Sequence, residues 1–415
     1  MVIKGEINLP GDKSISHRAL MISALSQGKA RISNISTGED IISTYNCLKS
    51  CGLNMIYQGG DVIKNGGKLT NPNQPLDCGN SGTTARLLMG LLVGQGISAT
   101  FTGDSSLSRR PMLRILKPLE LMGLKTKRNN GRLPIKTDSN KLNGIKYSSN
   151  IASAQIKSSI LLAGLGATGP TFYTEPFKSR DHTEIMLKNL GAKISMRGLT
   201  TTINPLKKPL KKIKIDIPGD PSSAAFFAGA AALVPGSKIK INKILNNPTR
   251  NAFFLILKKM GVGINYINKH LNEGEHVADL EVYYKKIYSV KIGQQDVPSV
   301  IDEIPMLAIL ATQANGCTVI KGAQELRFKE CDRIHAICSN LKKMNANISE
   351  LEDGFIIEGP TKLNGAKIES FGDHRIAMAF TIAGLISKGS VVLDNKDCVS
   401  ISFPNFFQKL KKVAK

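Results

Sequence analysis

Cationic side chains stand next to Gly, Pro and Asp in short motifs along the whole chain. Arginine presents a planar fork of donors that matches carboxylate and phosphate, and lysine adds a compact charge. Any one such residue alone is more often a surface charge, but eight in similar settings indicate a site for small anions. They are Lys13, Arg18, Arg86, Arg110, Arg180, Lys329, Arg333 and Arg375.

Carboxylates lie among these cations and are candidates for proton transfer. They are Asp302 in VIDEIPML, Glu330 in RFKECDR and Asp373 in FGDHR. In strongly basic surroundings the pKa of a carboxyl group is set by its neighbours, which is what general acid–base catalysis requires. For Asp302, a helix cap is an alternative that the spacing leaves open.

Several of the cations fall where a polar turn is followed by a helical pattern. Residues 81–88, SGTTARLL, and residues 373–378, DHRIAM, are two such helix starts. The N-terminus of a helix carries free N–H groups and a partial positive charge. Several of them directed at one cleft would bind anions, so the predicted elements favour phosphate or carboxylate ligands.

One kind of helix ending recurs about every 70 residues along the chain. In each copy an amphipathic helix stops at Gly or Asn, which tolerate the left-handed conformation at a helix C-terminus, and a short apolar strand follows. A degenerate sixth copy lies near residues 407–410, so we predict six units. The stops of the other copies are Gly52, Gly123, Gly191, Gly261 and Asn345.

Two similar turns divide the six predicted units into two sets of three. Residues 9–16, LPGDKSIS, are echoed by residues 217–224, IPGDPSSA. In both segments a strand is followed by a Pro-Gly turn and a Ser-rich helix start. We interpret the two turns as chain crossings between lobes.

The length of the chain also favours two lobes, because 415 residues are too many for one ordinary core. We predict an α/β protein in which residues 1–12 and 219–415 form one lobe and residues 13–218 form the other. The hinges are expected near residues 12–13 and 218–219.

The formal charge of +24 makes a nucleic-acid-binding protein built from repeats the alternative from another functional class. Tryptophan is absent and aromatic residues make up 5% of the chain. The densest basic stretches, residues 207–214 and 409–415, lack interleaved stacking residues. We therefore expect solvated basic faces and no nucleic-acid partner.

The spacing of other residue types argues against several kinds of site. The seven cysteines form no CxxC pair and the six histidines fall singly, so we expect neither a disulfide framework nor a metal site. The GDKS segment lacks the Gly-Lys pair and the earlier glycine of a P-loop. No apolar run reaches about 18 residues and no secretory signal is recognisable, so we expect a cytoplasmic protein without a membrane partner.

Ten segments between residues 11 and 380 resemble, in order, the signature of the 5-enolpyruvylshikimate-3-phosphate synthase family. The resemblance covers nearly the whole chain. It implies a two-lobed inside-out α/β barrel, with three βαβαββ repeats and buried helices in each lobe. The segments are GDKSISHRA, DCGNSGTTARLL, SRRPM, SAQIKSSILLAG, SRDHTE, PGDPSSAAFF, NPTR, DEIPMLAILA, RFKECDRI and FGDHRIAMAF.

The resemblance also implies a reaction. The enolpyruvyl group of phosphoenolpyruvate is transferred to the 5-hydroxyl of shikimate 3-phosphate, through a tetrahedral intermediate and with release of phosphate. It implies two small-molecule substrates, no cofactor and a possible inhibitor, glyphosate. We expect a monomer.

The resemblance assigns roles to individual positions. The residues implied to bind shikimate 3-phosphate are Lys13, Ser14, Arg18, Ser153, Ala154, Gln155, Arg180, Asp302 and Lys329. Those implied to bind phosphoenolpyruvate are Lys13, Gly82, Arg110, Gln155, Arg333 and Arg375. Proton transfer is implied for Asp302 at the hydroxyl, and for Glu330 with Lys13 at C3 of phosphoenolpyruvate.

The sequence departs from the family pattern at a few positions. Ala154 stands where many members have a second Ser, and Ile401 stands where some carry a phosphate-binding lysine. Gly82 is retained at a position where the resemblance implies Ala in glyphosate-resistant members, so the resemblance does not fix the response to glyphosate. The nearest alternative is the sister family that transfers enolpyruvate to UDP-N-acetylglucosamine. Its reactive cysteine has no counterpart in the loop of residues 103–111.

Overall fold

The structure, a computed structural model, describes residues 1–138 and 140–415 and has a mixed α/β fold with many short strands. In strands with one buried face, buried and exposed residues alternate. In residues 132–138, for example, Leu133, Ile135 and Thr137 are buried and the residues between them are exposed. The strands are β1 Lys4–Asn8, β2 Ala30–Ser33, β3 Asn54–Gln58, β4 Asp61–Gly66, β5 Leu76–Asp77, β6 Ala99–Thr102, β7 Lys125–Asn129, β8 Arg132–Asp138, β9 Lys146–Ser148, β10 Thr171–Thr174, β11 Ile194–Arg197, β12 Thr200–Ile203, β13 Lys214–Asp216, β14 Lys238–Leu245, β15 Gly263–Asn272, β16 Glu275–Tyr283, β17 Lys291–Ile292, β18 Gly316–Ile320, β19 Asn347–Leu351, β20 Gly354–Gly359, β21 Lys367–Ile368 and β22 Val392–Leu393.

Helices connect these strands, and two short 3₁₀ helices span Gln324–Phe328 and Asp397–Ile401. None of the helices in the described part of the chain has the length and hydropathy needed to cross a lipid bilayer. The α-helices are α1 Lys13–Ser23, α2 Glu39–Ser50, α3 Gly82–Gly94, α4 Ser105–Arg109, α5 Leu113–Leu121, α6 Ala154–Gly164, α7 His182–Asn189, α8 Pro221–Leu233, α9 Ala252–Lys259, α10 Val297–Val300, α11 Ile304–Ala311, α12 Arg333–Lys343, α13 His374–Ala383 and α14 Phe406–Val413.

Polar side chains begin the buried helices by accepting hydrogen bonds from backbone amides of the first turn. The distances are 2.8 Å at Asp12, 3.1 Å at Ser81, 3.5 Å at Ser153, 2.7 Å at Asp220 and 2.8 Å at Asp373. These side chains satisfy amides that have no partner within the helix. The polar turns of the sequence therefore mark true helix starts.

The predicted helix endings are confirmed. Each of the five residues lies just after a helix and has a positive φ, the conformation that stops an α-helix without a Cβ clash when the residue is Gly. The φ angles are 93° at Gly52, 108° at Gly123, 89° at Gly191, 98° at Gly261 and 65° at Asn345.

In the part of the chain that the structure describes, five sheets have four strands and share one strand order. In each, the first two strands run parallel, and the second and third run antiparallel. A further sheet pairs β21 with β22. The orders are β13-β2-β4-β3, β5-β6-β8-β7, β9-β10-β12-β11, β1-β14-β16-β15 and β17-β18-β20-β19.

Two of these sheets take their first strand from a distant part of the chain. β1 pairs with β14, where Lys4 lies opposite Lys238, and β13 pairs with β2, where Lys214 lies opposite Arg31. β1 and β2 are therefore consecutive in the sequence but belong to different sheets. We call this arrangement the strand exchange.

The described residues form two compact units. Unit 1 comprises 1–10, 218–271 and 276–415, and unit 2 comprises 11–217 and 272–275. The sequence-based lobe of residues 219–415 is therefore interrupted. The Asn272 amide donates to the Asp216 carbonyl at 2.6 Å, and the Glu275 carboxylate lies 2.7 Å from His182 Nδ1, so residues 272–275 group with unit 2.

Helices rather than strands fill the interior of unit 2. All residues of α1 from Ile15 onward, all of α6 from Ile156 onward and nearly all of α3 are buried. α3 and α6 approach closely because α3 carries glycine at the contact: a Cβ at Gly90 would lie 2.1 Å from the Ser159 carbonyl oxygen. Buried helices with small residues bring their ends close together.

A buried lysine binds backbone carbonyls at the C-terminal end of α1. Lys64 Nζ donates to the Ser23 carbonyl at 2.8 Å and to the Ser26 carbonyl at 2.9 Å. A cation at this position complements the negative end of the helix. Lys64 therefore belongs to the interior of unit 2 although it lies in a polar strand.

Unit 1 is also built around buried helices. α8, α11 and α13 are buried along almost their whole length. An aromatic cluster joins α8 to the C-terminal part of the chain, because Phe226 and Phe227 lie 5.8 and 5.9 Å from Phe406, ring centre to ring centre. In both units the helix starts are thus fixed by an apolar interior.

We predict that Gly90→Ala destabilises the protein by about 1–3 kcal/mol, as overpacking of a core does. Alanine is the better helix former by about 1 kcal/mol, but its methyl group would overlap the Ser159 carbonyl. The free energy of unfolding from urea titration tests this. Gly169→Ala is the control, since a Cβ there meets nothing within 4 Å. Equal stability of the two variants would contradict the close helix contact.

Candidate functional site

The start of α1, in unit 2, brings a lysine and a serine next to further charged groups. Asp12 caps the helix. Lys13 Nζ lies 2.9 Å from an Asp40 carboxylate oxygen. Ser14 Oγ accepts a hydrogen bond from Arg180 at 3.2 Å. Helix N-terminus, hydroxyl and guanidinium are donors that suit a phosphate or carboxylate.

Arg18, one turn further along α1, is buried among neutral oxygen atoms. It donates to Thr183 Oγ1 and Ser158 Oγ, both at 2.8 Å, and to the Ser14 carbonyl at 2.9 Å. Burial lowers the pKa of Arg18 to about 10, because the charged form loses its water. The guanidinium still carries its charge at neutral pH.

A second group surrounds the start of α3. A Cβ on Gly82 would lie 2.8 Å from Arg86 Nη1 and 3.5 Å from Arg110 Nη1. Arg86 Nη1 donates to Gln155 Oε1 at 2.6 Å, and Arg110 Nη2 donates to Asn80 Oδ1 at 2.6 Å. Glycine at position 82 therefore makes room for two guanidinium groups.

Helix α6 contributes to both groups. Gln155 Nε2 donates to Thr83 Oγ1 at 3.0 Å. Ser158, three residues later and so on the same side of the helix, accepts from Arg18. The predicted residues of unit 2 thus gather at and around the starts of α1, α3 and α6. They are Lys13, Ser14, Arg18, Gly82, Arg110, Ser153, Ala154, Gln155 and Arg180.

In unit 1, one buried arginine is surrounded by carboxylates. Arg333 Nε lies 2.7 Å from Asp373 Oδ2, Nη2 lies 2.6 Å from Glu330 Oε2, and Nη1 lies 3.6 Å from Asp302 Oδ1. Burial disfavours the charged form, but Asp373, Glu330 and Asp302 outweigh it and raise the pKa of Arg333. The guanidinium is therefore a permanent cation that holds the carboxylates in place.

Asp302 lies between two guanidinium groups. Its Oδ1 is 3.6 Å from Arg333 Nη1 and its Oδ2 is 3.7 Å from Arg375 Nη2, while its carbonyl accepts from Arg375 at 3.1 Å. α11 begins at Ile304 with Glu303 at the N-cap, so the helix-cap alternative for Asp302 is wrong. Its side chain is 15% exposed and can meet a ligand.

Lys329 and Glu330 lie just before α12 and are half-buried. Burial lowers the pKa of Lys329, and the Asp302 carboxylate opposes this effect. A lysine with a lowered pKa gives up its proton more readily. The predicted residues of unit 1 thus gather around Arg333, and they are Asp302, Lys329, Glu330, Arg333 and Arg375.

Two residues of these clusters, Arg86 and Asp373, were named as candidates from the sequence but were assigned to neither substrate. Arg86 follows Gly82 by one helical turn, so the GNSGTTAR motif carries a signal for it. Asp373 both caps α13 and pairs with Arg333, and no spacing in FGDHR reveals the second contact. Ile401, where some relatives have lysine, packs against the apolar interior of unit 1.

The two clusters support different chemistry. The unit 2 cluster offers cations, hydroxyls and helix N-termini, which bind anions. The unit 1 cluster combines cations with carboxylates, which can also move protons. Among residues 1–138 and 140–415, no group of three or more His, Cys, Asp and Glu side chains is arranged to hold a metal ion.

Comparison with known proteins gives one consistent family. The family model described as EPSP synthase (3-phosphoshikimate 1-carboxyvinyltransferase) matches residues 2–410. The 3-phosphoshikimate 1-carboxyvinyltransferase of Sulfurihydrogenibium sp. (strain YO3AOP1) is 46% identical, with 100% of this chain and 98% of the relative aligned. That of Thermoanaerobacter sp. (strain X514) is 47% identical over 98% of this chain and 96% of the relative.

Solved structures lead to the same family. EPSP synthase from Acinetobacter baumannii superimposes with a TM-score of 0.88 at 38% identity, covering 100% of this chain and 96% of that one. The enolpyruvyl transferase NikO from Streptomyces tendae has a TM-score of 0.80 at 17% identity, covering 99% of this chain and 95% of that one. At this identity NikO shares the fold alone.

A histidine is buried beneath the cations of α1. His17 Nδ1 lies 2.7 Å from Thr44 Oγ1. Burial, followed by the positive charges of Lys13 and Arg18, lowers the pKa of His17 well below 6.5. The folded protein therefore keeps this side chain neutral.

We predict that the protein loses stability as the pH falls below about 6.5, the pKa of an unperturbed histidine. The unfolded chain then binds a proton at His17 that the folded protein does not bind. Protonation therefore favours unfolding by up to about 1.4 kcal/mol per pH unit, until the lower folded pKa is reached. Urea titrations from about pH 8 to pH 5 measure the slope.

His17→Gln lacks the titrating group and should lose less stability over the same interval. His270→Gln is the matched control, because it makes the same replacement at an exposed position. Equal slopes for the parent protein and His17→Gln would contradict the role of His17.

Proposed function

This chain belongs to the EPSP synthase family, and on that premise we propose which of its residues bind and convert the substrates. The enzyme transfers the enolpyruvyl group of phosphoenolpyruvate to shikimate 3-phosphate, a step of aromatic amino acid biosynthesis. Together the substrates carry on the order of five or six negative charges, so the site must supply cations to hold them.

We propose that the chain is built of six βαβαββ repeats, three in each unit, with the helices inside. The common strand order of the five four-stranded sheets supports this. The burial of α1, α3, α6, α8, α11 and α13 supports it as well.

Shikimate 3-phosphate is bound through the first group of unit 2. Arg180 donates to the Ser14 hydroxyl at 3.2 Å, and Arg18 donates to the Ser14 carbonyl at 2.9 Å. A carboxylate or phosphate there meets two guanidinium groups and the N-terminus of α1. The start of α6 adds Ser153, Ala154 and Gln155. The resemblance to the family also implies roles for Lys329 and Asp302, which belong to the cluster of unit 1.

The residues proposed for phosphoenolpyruvate form one set in each unit. In unit 2, Arg110 Nη1 would lie 3.5 Å from a Cβ on Gly82, the neighbouring Arg86 donates to Gln155 at 2.6 Å, and Lys13 adds a further charge. In unit 1, Arg333 and Arg375 provide two more guanidinium groups. These residues neutralise charge that develops on phosphate as it leaves.

Conversion requires two proton transfers. The 5-hydroxyl loses a proton as it attacks C2 of phosphoenolpyruvate, and C3 gains one, giving a tetrahedral intermediate that then expels phosphate. We assign Asp302 to the hydroxyl proton, and Glu330 with Lys13 to the proton at C3. The observation that carries the assignment is the position of Asp302, partly exposed and flanked by Arg333 and Arg375 at 3.6 and 3.7 Å.

Asp302→Asn should lower kcat by about 10²- to 10⁴-fold, the range typical of a lost general base, with KM for both substrates within a few fold. Steady-state measurement of phosphate release tests this. Glu358→Gln, which alters an exposed carboxylate of the same unit, should leave kcat unchanged. An Asp302→Asn enzyme with full kcat would remove Asp302 from the reaction.

Arg110→Ala should raise KM for phosphoenolpyruvate by about tenfold or more, because a charge-assisted contact to an anion is lost. KM for shikimate 3-phosphate should change far less. Arg109→Ala is the control, since Arg109 is the exposed neighbour in the same motif. The assignment of Arg110 is refuted if both variants raise KM for phosphoenolpyruvate equally, or if neither does.

A further inference from the structure

The NPTR motif, residues 247–250, ends in an arginine that the proposed reaction does not use. Arg250 lies between β14 and α9, and its side chain is 2% exposed. Its Nη2 lies 3.1 Å from Asp220 Oδ1 and donates to Ser222 Oγ at 2.9 Å. Its Nη1 lies 3.7 Å from Glu303 Oε1. A buried charge must be paired to be tolerated, and here it is paired twice.

Ser222 closes the cluster by donating its hydroxyl hydrogen to Glu303 Oε1. Asp220, Ser222, Arg250 and Glu303 therefore form one hydrogen-bonded group, which we call the buried brace. It joins three separate segments of unit 1: the start of α8, the loop before α9 and the start of α11. Its side chains are at most 9% exposed where they pair, so solvent screens the ion pairs little.

The brace ends one residue from Asp302. Glu303 is the N-cap residue of α11, yet its side chain makes no capping hydrogen bond to that helix and enters the brace instead. The preceding carbonyl, that of Asp302, accepts from Arg375 at 3.1 Å. Two consecutive residues of the turn are thus held by two different arginines.

We infer that Arg250 is a positioning residue for Asp302, acting through the Glu303 carboxylate. Fixing Glu303 fixes the backbone from which the Asp302 side chain projects between Arg333 and Arg375. Arg250 is occupied by Asp220, Ser222 and Glu303, and the proposed reaction gives it no contact with either substrate, so its contribution lies in geometry. A displacement of about 1 Å at a reacting group lowers a rate by about 10²-fold, so loss of the brace should be visible in kcat.

Arg250→Met tests the inference, because methionine fills similar space without charge or hydrogen bonds. We expect kcat to fall by about tenfold or more, with KM for both substrates within about threefold, as for an interaction that matters mainly in the transition state. Arg250→Lys keeps the charge and should recover part of the loss. Thermal unfolding of each variant gives the fraction of folded protein, and kcat is calculated per folded molecule.

Arg327→Met is the matched control. Arg327 is also in unit 1 and also forms two ion pairs, with Asp332 at 2.7 Å and Glu350 at 3.1 Å, but it is 25% exposed and not joined to the brace. Its replacement should leave kcat within about threefold, since surface ion pairs contribute little. A fall equal to that of Arg250→Met would show a general effect of lost ion pairs and overturn the inference.

A double-mutant cycle with Asp302→Asn decides whether Arg250 acts through Asp302. If it does, adding Arg250→Met to Asp302→Asn should lower kcat by less than about threefold further, because the group to be positioned no longer functions. A merely structural or independent effect would lower kcat by the same factor in both backgrounds. Full multiplication of the two losses therefore overturns the inference.

The inference rests on the proposed role of Asp302, and the same measurements separate the two. Full kcat in Asp302→Asn removes that role and the inference with it. Impaired Asp302→Asn together with unchanged kcat in Arg250→Met removes the inference alone. If Arg250→Met does not fold, Glu303→Gln takes its place in the cycle, since it preserves the shape and the acceptor for Ser222 while losing the charge.

Discussion

A buried cation needs partners, and Arg18 and Arg333 satisfy this constraint in different ways. In unit 2, Arg18 donates to two hydroxyls and a carbonyl, and burial lowers its pKa to about 10 although the Glu184 carboxylate opposes this effect. In unit 1, Arg333 is held by carboxylates, which raise its pKa. Unit 2 thereby keeps positive charge for binding anions, and unit 1 holds carboxylates next to cations, where protons can be exchanged.

The interior helices explain how motifs far apart in sequence meet in each unit. α3 and α6 pack directly because Gly90 leaves space for the Ser159 carbonyl. Their starts are therefore close, and Arg86 from one reaches Gln155 from the other at 2.6 Å. A helix packed this way aims its N-terminal amides at one region, and the polar caps keep those ends defined. Anion binding thus follows from how the helices pack.

Much of the local structure could be predicted from residue types. Helix stops such as Gly52 and Asn345 follow from the left-handed conformation they tolerate, and helix starts such as Asp373 follow from capping. These features depend on a few neighbouring residues.

Contacts between segments far apart in the sequence could not be predicted from residue types. Lys64 belongs to a polar strand and yet is buried at the end of α1. Arg250 follows a turn motif typical of a surface loop and yet lies in the interior of unit 1. In both cases the partner is a carbonyl or carboxylate brought near by the fold, so residue type and spacing carry no trace of it. Asp302 is similar, because the sequence leaves a helix cap possible and the structure shows that Asp302 lies between two arginines instead.

The strand exchange has a consequence for synthesis on the ribosome. β1 is the edge strand of its sheet and pairs with β14, and Ile3 and its hydrogen-bond partner Ser237 lie 234 positions apart in the sequence. The nascent chain must therefore carry β1 unpaired while all of residues 11–217 emerge. An unpaired strand recruits other strands, and charged side chains discourage this. Lys4 and Glu6, exposed in the finished protein, are suited to protect the strand during that wait.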